Sequence, residues 1–185
     1  MILHLPDLRD LEERVDEFIE SLPCRAPGPY PPVKVKGPHP QYAQMLLDAF
    51  ADGAAAELTA ITQYFNHYLV NPDKEVARLQ FCIALVEMEH LELLGELIEQ
   101  LGGDPRYWRS NKAYWDGGNV AYGVKMTPSE LLRLDIEGEI CAIEAYERLI
   151  TEIADPGVRR VLERIVEDER VHLDLFETAL AHLAK

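Results

Sequence analysis

The chain carries one helical pattern twice, and every shared position in the second copy follows its counterpart in the first at the same distance along the sequence. The shared positions in the first copy are Glu57, Tyr64, Glu87 and His90, and their counterparts in the second copy are Glu139, Tyr146, Glu169 and His172. The interval from the first glutamate to the Glu-x-x-His pair is therefore identical in the two copies. A repeat of this length with helical spacing inside it indicates that a helical hairpin has been duplicated.

The ends of four long helices are marked by their local chemistry. Asn71 and Asp155 are each followed by proline, which places a good N-cap residue before a position that tolerates proline. Thr127 and Glu130 form a capping-box pattern, and the glycine pair 102–103 predicts a helix end. We therefore predict helices A to D over residues 41–70, 72–101, 127–154 and 156–183. The short A–B and C–D turns make two antiparallel hairpins, so the predicted fold is an all-α four-helix bundle.

Three further segments lie outside these four helices. Residues 7–21 have the apolar periodicity of a short amphipathic helix, and the proline-rich run 23–40 predicts an extended strap. Residues 102–126 are long enough to cross the bundle between helices B and C. We predict two units: an N-terminal helix and strap over residues 1–40, appended to a bundle over residues 41–185.

Composition limits the partners and the compartment. The chain has 18 lysines and arginines against 33 aspartates and glutamates, and the resulting charge of -15 argues against nucleic acid or an anionic membrane as a partner. The three cysteines, Cys24, Cys82 and Cys141, include no C-x-x-C pair, so we expect neither a disulfide framework nor a cysteine-ligated metal site. No segment has the length and hydrophobicity of a membrane span. These features favour a soluble protein of the reducing cytoplasm.

The two Glu-x-x-His pairs occupy positions where the apolar seam of a helix is expected. In helix B the seam runs through Ile83, Glu87, His90, Leu94 and Leu97, and helix D repeats this order around its own pair. Burying four carboxylates and two imidazoles in one layer is costly unless their charge is compensated. Two divalent cations would balance the carboxylates, and the set of oxygen and imidazole donors suits iron or manganese. The alternative is a bundle whose site is degenerate or empty.

At these residues the sequence resembles the ferritin-like superfamily. The stretches ELTAITQYF (57–65) and EMEH (87–90) are similar to bacterioferritin, DERVH (168–172) resembles rubrerythrins, and EMEHLELLGELIEQL (87–101) resembles manganese catalases. The resemblance implies a ferritin-like bundle with a dinuclear metal site. The ligands that it implies are Glu57, Glu87, His90, Glu139, Glu169 and His172, of which Glu87 and Glu169 bridge the metals and Glu57 and Glu139 are terminal.

Several neighbours of the ligands have expected roles of their own. Asp168 is expected to hydrogen-bond a ligand histidine, whereas Val86 at the matching position cannot, so the two metals should be inequivalent. Tyr64 and Tyr146 lie seven residues after the terminal glutamates and are candidates for redox-active catalytic residues, with core packing as the alternative. Met88 matches the haem-ligating methionine of bacterioferritin, but a methionine beside a helix seam is typical of packing, so haem is not expected.

A dinuclear carboxylate site can bind oxygen or peroxide and cycle the oxidation states of its metals. We therefore expect oxidase, peroxidase or catalase-like chemistry, with oxygen or hydrogen peroxide as the substrate. The alternatives are a bacterioferritin-like ferroxidase in iron storage and a structural protein with a vestigial site. The strap and the long crossover add bulk to the bundle, which favours a homodimer or another small homo-oligomer over a cage.

Overall fold

The computed structural model describes residues 10–108 and 113–184. Within these ranges the chain forms α1 Leu11–Glu20, α2 Pro40–Leu47, a π-helical turn Asp48–Asp52, α3 Glu57–Val70, α4 Lys74–Gln100, α5 Pro128–Glu152 and α6 Pro156–Leu183. The described residues form no β-strand beyond an isolated bridge between Trp108 and Tyr114. None of the helices in these two ranges is both long enough and apolar enough to cross a membrane.

Two antiparallel hairpins form a four-helix bundle, which confirms the predicted fold class. α3 packs along α4 and α5 packs along α6, while contacts of α4 with α6 and of α3 with α5 join the hairpins. One apolar cluster, which includes Leu97 and Ile165, fills one end of the bundle, and a second cluster around Ile83 and Phe176 fills the other end. Along α4 and α6, the Glu-x-x-His pairs lie between these two clusters.

The helix boundaries follow the predicted caps at α5 and α6 but not at α4. The capping box predicted at Thr127 is complete, and the side chain of Asp155 caps α6. α4 begins two residues later than predicted, because Asp73 rather than Asn71 accepts the capping hydrogen bonds. Asn71 is buried instead, and its side chain donates a hydrogen bond to Gln80.

The prediction of a continuous helix A over residues 41–70 is wrong, because the chain breaks between α2 and α3. α2 runs into the π-helical turn, and Gly53 then leaves the helix with extended backbone. A Cβ at this glycine would lie 2.9 Å from the carbonyl oxygen of Asp48, which is closer than a side chain allows. Asn119 of the crossover donates a hydrogen bond to the carbonyl of Asp52. α3 therefore starts afresh at Glu57.

The strap runs along the bundle in an extended conformation, as predicted. Val33 and Val35 pack on the core, while the lysines beside them are exposed. At the far end of the strap, the backbone N–H of Lys36 donates a hydrogen bond of 2.8 Å to Asp155. The strap is thus packed on the bundle along its length, and the division into two units at residue 40 stays a prediction.

The expectation that the chain has no disulfide is wrong. Cys24 in the strap is bonded to Cys82 on α4, 58 residues later in the chain, and Cys141 is free and exposed. The spacing of the cysteines could not reveal this pair, because the bond depends on the strap lying against α4. The disulfide removes the cysteine-based reason for a reducing compartment, so the cytoplasmic location stays a prediction.

Candidate metal centre

The structure brings the six predicted ligands together in one buried layer, called the ligand layer below. α3 and α5 supply Glu57 and Glu139, α4 supplies Glu87 and His90, and α6 supplies Glu169 and His172. Each of these residues is at most 2% exposed. The spacing of three residues within each Glu-x-x-His pair puts both side chains on one helix face, one turn apart. The layer therefore places four carboxylates inside the core.

The ligand atoms fall into two groups of four, and within each group all atoms lie within 4.8 Å of one another. The first group is Glu57, Glu87, His90 and Glu169, and the second is Glu87, Glu139, Glu169 and His172. Glu87 and Glu169 belong to both groups, which is the placement that bridging carboxylates require. Glu57 and Glu139 each belong to one group, as terminal ligands do. This arrangement supports the predicted metal ligands, whose role stays a prediction.

Both imidazoles present their Nδ1 atoms to the shared carboxylates. Nδ1 of His90 lies 2.9 Å from Oε2 of Glu87 and 3.3 Å from Oε1 of Glu169. Nδ1 of His172 lies 3.0 Å from Oε1 of Glu87 and 3.1 Å from Oε2 of Glu169. A ring nitrogen carries at most one hydrogen, so it cannot fully satisfy two acceptors at once. Each Nδ1 therefore lies close enough to the two shared carboxylates for one imidazole to join each group of ligand atoms.

Burial and neighbouring charges control the protons of the layer when it holds no metal. Burial, reinforced by the neighbouring carboxylates, raises the pKa of Glu57 and of Glu139 well above the usual range. Burial also opposes ionisation of Glu87, but the charge of His172 outweighs it, so the pKa of Glu87 is lowered. Burial would lower the pKa of His172, yet the charge of Glu87 raises it well above its usual value. Metal binding at this layer must therefore displace protons.

Three buried atoms of the layer have no aligned hydrogen bond within the described part of the chain. They are Oε1 of Glu87, Oε1 of Glu169 and Nε2 of His172. Both oxygens belong to the shared carboxylates, at the point where the ligand atoms converge. Buried polar atoms without partners are uncommon in folded proteins, and these two oxygens fit a bound cation. A donor set of carboxylate oxygen and imidazole nitrogen suits iron or manganese.

Tyr64 and Tyr146 are buried, and their hydroxyls reach the ligand layer. The hydroxyl of Tyr64 donates to Oε1 of Glu139 at 2.7 Å, and that of Tyr146 donates to Oε1 of Glu57. Each tyrosine thus contacts the terminal glutamate of the other half of the repeat. Burial and the charge of Glu139 raise the pKa of Tyr64 well above its usual value, so this hydroxyl keeps its proton. A redox role for the two tyrosines stays a prediction.

Asp168 contacts a ligand histidine, as predicted, but the histidine belongs to the other half. Its Oδ2 lies 3.1 Å from Nε2 of His90. Val86 holds the matching position in the first half and offers no acceptor to His172. Nε2 of His90 therefore has a carboxylate neighbour, whereas Val86 provides none for Nε2 of His172.

Sequence reasoning missed two residues that border the ligand layer. Tyr30 in the strap donates a hydrogen bond to Asp168, and Arg164 forms an ion pair with the same carboxylate. Arg164 lies four residues before Asp168 on α6, and this spacing was a usable signal for the ion pair. Tyr30 had no such signal, because the position of an extended strap on a bundle does not follow from a periodic pattern.

Two cavities that share wall residues lie at and beside the ligand layer. The inner cavity has about 10 Å³ of water-sized space, and its walls include Glu57, Glu139, Ala54, Ala55, Ala60, Gly138 and Ala142. The outer cavity, of about 420 Å³, shares Ala54 and Ala55 with it and has the free Cys141 in its wall. The inner space corresponds to about one water molecule. The space beside the ligand layer is therefore very small.

Met88, the residue considered for haem ligation, lies outside the ligand layer. Its side chain is 54% exposed and lines a surface cavity of about 560 Å³ together with Phe50 and Tyr107. The expectation that the protein carries no haem stays a prediction.

Comparison with known proteins relates this bundle to a family. The Ferritin-like domain family model matches residues 47–185. A bacterioferritin from Desulfovibrio desulfuricans is 30% identical over 144 residues, which is 75% of this chain and 75% of that protein. The structure of a bacterioferritin from that species, which has a diiron site, covers 78% of this chain and 80% of its own, with a TM-score of 0.64 and 30% identity.

Manganese catalases are similar as well. A probable manganese catalase from Clostridium acetobutylicum is 28% identical over 169 residues, which is 80% of this chain and 74% of that protein. The structure of KatB, a manganese catalase from Anabaena, covers 85% of this chain and 79% of its own, with a TM-score of 0.78 and 28% identity.

Proposed function

The chain belongs to the ferritin-like domain family, and on that premise we propose that it is a dinuclear metal oxidoreductase that decomposes hydrogen peroxide. The observation that carries the proposal is the pair of four-residue groups that share Glu87 and Glu169. Two shared carboxylates join two metal positions into one centre. Iron and manganese both suit the donors, and the proposal covers either metal.

The residues divide into three roles under this proposal. Glu57 with His90 would hold one ion, Glu139 with His172 would hold the other, and Glu87 with Glu169 would be shared by both. When bound, the metal pair supplies the redox chemistry, since it can take up and return two electrons. The four carboxylates supply the negative charge that compensates two divalent cations in a buried layer.

The tyrosines orient the terminal carboxylates. Each hydroxyl binds Oε1 of its glutamate, which leaves Oε2 directed at the imidazole of the same metal position. Oε2 of Glu57 lies 3.8 Å from Nδ1 of His90, and Oε2 of Glu139 lies 3.8 Å from Nδ1 of His172. A neutral hydroxyl donor can hold a carboxylate in this way without adding charge to the layer.

The size of the inner cavity selects the substrate. Its space of about 10 Å³ admits a molecule of about the width of water, and hydrogen peroxide and dioxygen meet that limit. Four alanines and Gly138 contribute to the wall, and its polar groups include the carboxylates of the ligand layer. Exclusion of bulk water from the layer also strengthens the electrostatic interactions there.

Similarity to manganese catalases favours peroxide as the substrate. The KatB structure covers 85% of this chain. Residues 47–185 are a smaller share of the chain, so the similarity to KatB includes residues before residue 47. Disproportionation converts two molecules of hydrogen peroxide into two of water and one of dioxygen. It needs no electron donor, and no donor site is proposed.

The second candidate is a ferroxidase in iron storage, which the similarity to bacterioferritin favours. Ferrous iron would then be a substrate that is oxidised by dioxygen. Storage requires a large shell, whereas we propose a homodimer or another small homo-oligomer, because the strap and the crossover cover faces of the bundle.

Dioxygen release from hydrogen peroxide tests the proposed reaction. Protein loaded with manganese or iron should release dioxygen when peroxide is added without an electron donor. The Glu169→Gln variant should lose this activity, because it removes a shared carboxylate. Glu147→Gln is the matched control, since Glu147 is exposed on α5 and pairs with Arg170 on the surface. This control should keep the full rate.

Two results would contradict the proposed reaction. Rapid oxidation of ferrous iron by a shell-sized particle that does not disproportionate peroxide would establish the storage candidate instead. Loaded protein that is inert to both peroxide and dioxygen would rule out both candidates and leave a metal-binding role.

A further inference from the structure

Asp168 is held by donors from three different parts of the chain. It is fully buried, and its Oδ1 accepts a hydrogen bond of 2.7 Å from the backbone N–H of Ala26. Nη1 of Arg164 forms an ion pair of 2.7 Å with the same oxygen. Oδ2 accepts a hydrogen bond of 2.6 Å from the hydroxyl of Tyr30 and lies 3.1 Å from Nε2 of His90. The strap thus supplies two of the donors that fix this carboxylate.

Tyr30 has little freedom to turn its hydroxyl elsewhere. Two guanidinium groups lie over its ring, with that of Arg25 4.7 Å and that of Arg164 4.6 Å from the ring centre. The ring also meets the imidazole of His90 edge to face, with 6.2 Å between the ring centres. Arg164 in turn donates a hydrogen bond of 2.9 Å to the carbonyl of Ala26, which ties the strap to α6.

A covalent bond fastens this part of the strap to the helix that carries His90. Cys24 lies two residues before Ala26, and its disulfide partner Cys82 is on α4. Cys82 precedes His90 by about two helical turns. The disulfide therefore keeps the strap beside α4, where Tyr30 reaches Asp168.

The second imidazole has no equivalent support. Nε2 of His172 has no hydrogen-bond partner among the described residues, and Val86 stands where an acid would have to be. A carboxylate behind a metal-bound histidine fixes the ring and raises its basicity, and loss of such a partner typically costs about 10 to 100-fold in metal affinity. The two metal positions should differ accordingly.

We propose that Tyr30 is a positioning residue of the metal centre, which acts through Asp168 to fix His90 and makes the metal position at His90 the more tightly held of the two. The inference rests on the dinuclear centre of the proposed function but not on its reaction with peroxide. Residues of the strap thereby become part of the site.

Metal release into an excess of a coloured chelator tests this inference. The fully loaded wild-type protein should release its two ions in two phases, with the slower phase from the position at His90. Tyr30→Phe keeps the ring and removes the hydroxyl, and it should speed the slower phase by about tenfold while the faster phase stays unchanged. Tyr42→Phe is the matched control, because Tyr42 accepts a hydrogen bond from the N–H of Ala154 and has no contact with Asp168.

A second variant separates the role of the strap from that of one hydroxyl. The double substitution Cys24→Ser and Cys82→Ser should also speed the slower phase. When the double substitution is combined with Tyr30→Phe, the slower phase should accelerate by less than the product of the two separate accelerations, because both changes act on the same contact.

Three results would overturn the inference. The first is that Tyr30→Phe releases its metal at the wild-type rates. The second is that Tyr30→Phe accelerates both phases equally and also lowers the melting temperature. The third is that the wild-type protein releases its metal in a single phase. A wild-type chain that holds no pair of ions would overturn both the proposed function and this inference. A chain that holds two ions with the expected phases but leaves peroxide unchanged would contradict only the proposed reaction.

Discussion

The two halves of the repeat carry the same ligands on different backbones. In the second half, α5 runs unbroken from Pro128 to Glu152, whereas the matching segment of the first half is interrupted by the π-helical turn and Gly53 before α3 begins. Residues Ala54 and Ala55 of this interruption line both the inner and the outer cavity. The duplicated pattern thus keeps the ligand geometry, while the break in one copy supplies wall residues of both cavities.

The halves also differ in what stands behind each histidine. When the two copies are aligned on their ligands, the pair Arg164 and Asp168 on α6 corresponds to Cys82 and Val86 on α4. In the second half, Asp168 contacts His90, and Arg164 forms an ion pair with Asp168. In the first half one position anchors the strap and the other is apolar. The ligand layer is close to symmetric, and its surroundings are not.

The largest expected effect comes from breaking the symmetric part. Glu87→Gln and Glu169→Gln each remove a carboxylate that both metal positions share, so each should weaken binding of at least one ion by more than about 100-fold. Elemental analysis after gel filtration measures the loss. The two variants should behave alike, because the two glutamates hold equivalent places. Retention of two ions with unchanged affinity in both variants would refute the bridging assignment.

Removal of the metals should lower the stability of both halves. Each ion present at about a thousandfold excess over its dissociation constant contributes about 4 kcal/mol, so loss of both ions corresponds to a fall of about 20 °C in melting temperature. Calorimetry of loaded and chelator-treated protein measures the shift. An unchanged melting temperature would mean that the layer binds no metal tightly.

The same experiment has a pH dependence whose sign follows from the terminal glutamates. The pKa values of Glu57 and Glu139 are raised above their ordinary value of 4.5 in the folded, metal-free state. As pH rises above 4.5, these carboxyls therefore lose their protons in the unfolded chain before they do so in the folded chain. The stability of the metal-free protein should therefore fall as pH rises through the raised pKa values. The raised pKa of His90 and of His172 acts in the same direction above 6.5. The loaded protein should lack this fall, because the metals replace the protons.

An acid placed in the unsupported half should destabilise the fold. Val86→Asp introduces a buried carboxylate, and Cys82 stands where the other half has the arginine. Nε2 of His172 would then be its partner in place of a guanidinium. The free energy of unfolding should drop by about 3 kcal/mol in a denaturant titration of the metal-free protein. Val86→Asn has a similar shape without the charge and should lose less. Equal losses in both variants would show that packing, not charge, controls this position.

The smallest effect concerns the tyrosines. Tyr64→Phe and Tyr146→Phe each remove one hydrogen bond to a terminal glutamate, which is worth about 1 kcal/mol. Each variant should slow the peroxide reaction about fivefold, and the two should do so to a similar extent. Complete loss of activity in one variant alone would instead assign that tyrosine a redox role.

Sequence reasoning reached the ligand layer because helical spacing converts directly into geometry. The equal intervals inside the two copies and the constant offset between them place Glu57, Glu87 and His90 level with their counterparts, and the structure gathers all six residues. The predicted asymmetry between Asp168 and Val86 followed from the same alignment. A seam position indicates that a side chain points inward but not which neighbour it contacts. The contact of Asp168 with His90, which belongs to the other half of the repeat, was therefore not predictable.

Features that depend on contacts between distant segments could not be predicted from the sequence. The Cys24–Cys82 bond and the hydrogen bond of Tyr30 both require the strap to lie against α4 and α6, and a strap without periodicity carries no record of where it packs. The break at Gly53 likewise lies beside a contact between distant segments, the hydrogen bond from Asn119 of the crossover to the carbonyl of Asp52. Alanines around the break favour helix in isolation, so local propensity indicated the wrong structure.

The metal content of the chain tests the central claim most directly. Protein purified without added metal should be analysed for transition metals and, in parallel, weighed intact under non-denaturing conditions before and after reconstitution with iron or manganese. The duplicated ligand set predicts two ions per chain, and the two variants Glu87→Gln and Glu169→Gln should each hold fewer. One ion or none per reconstituted wild-type chain would contradict the dinuclear centre.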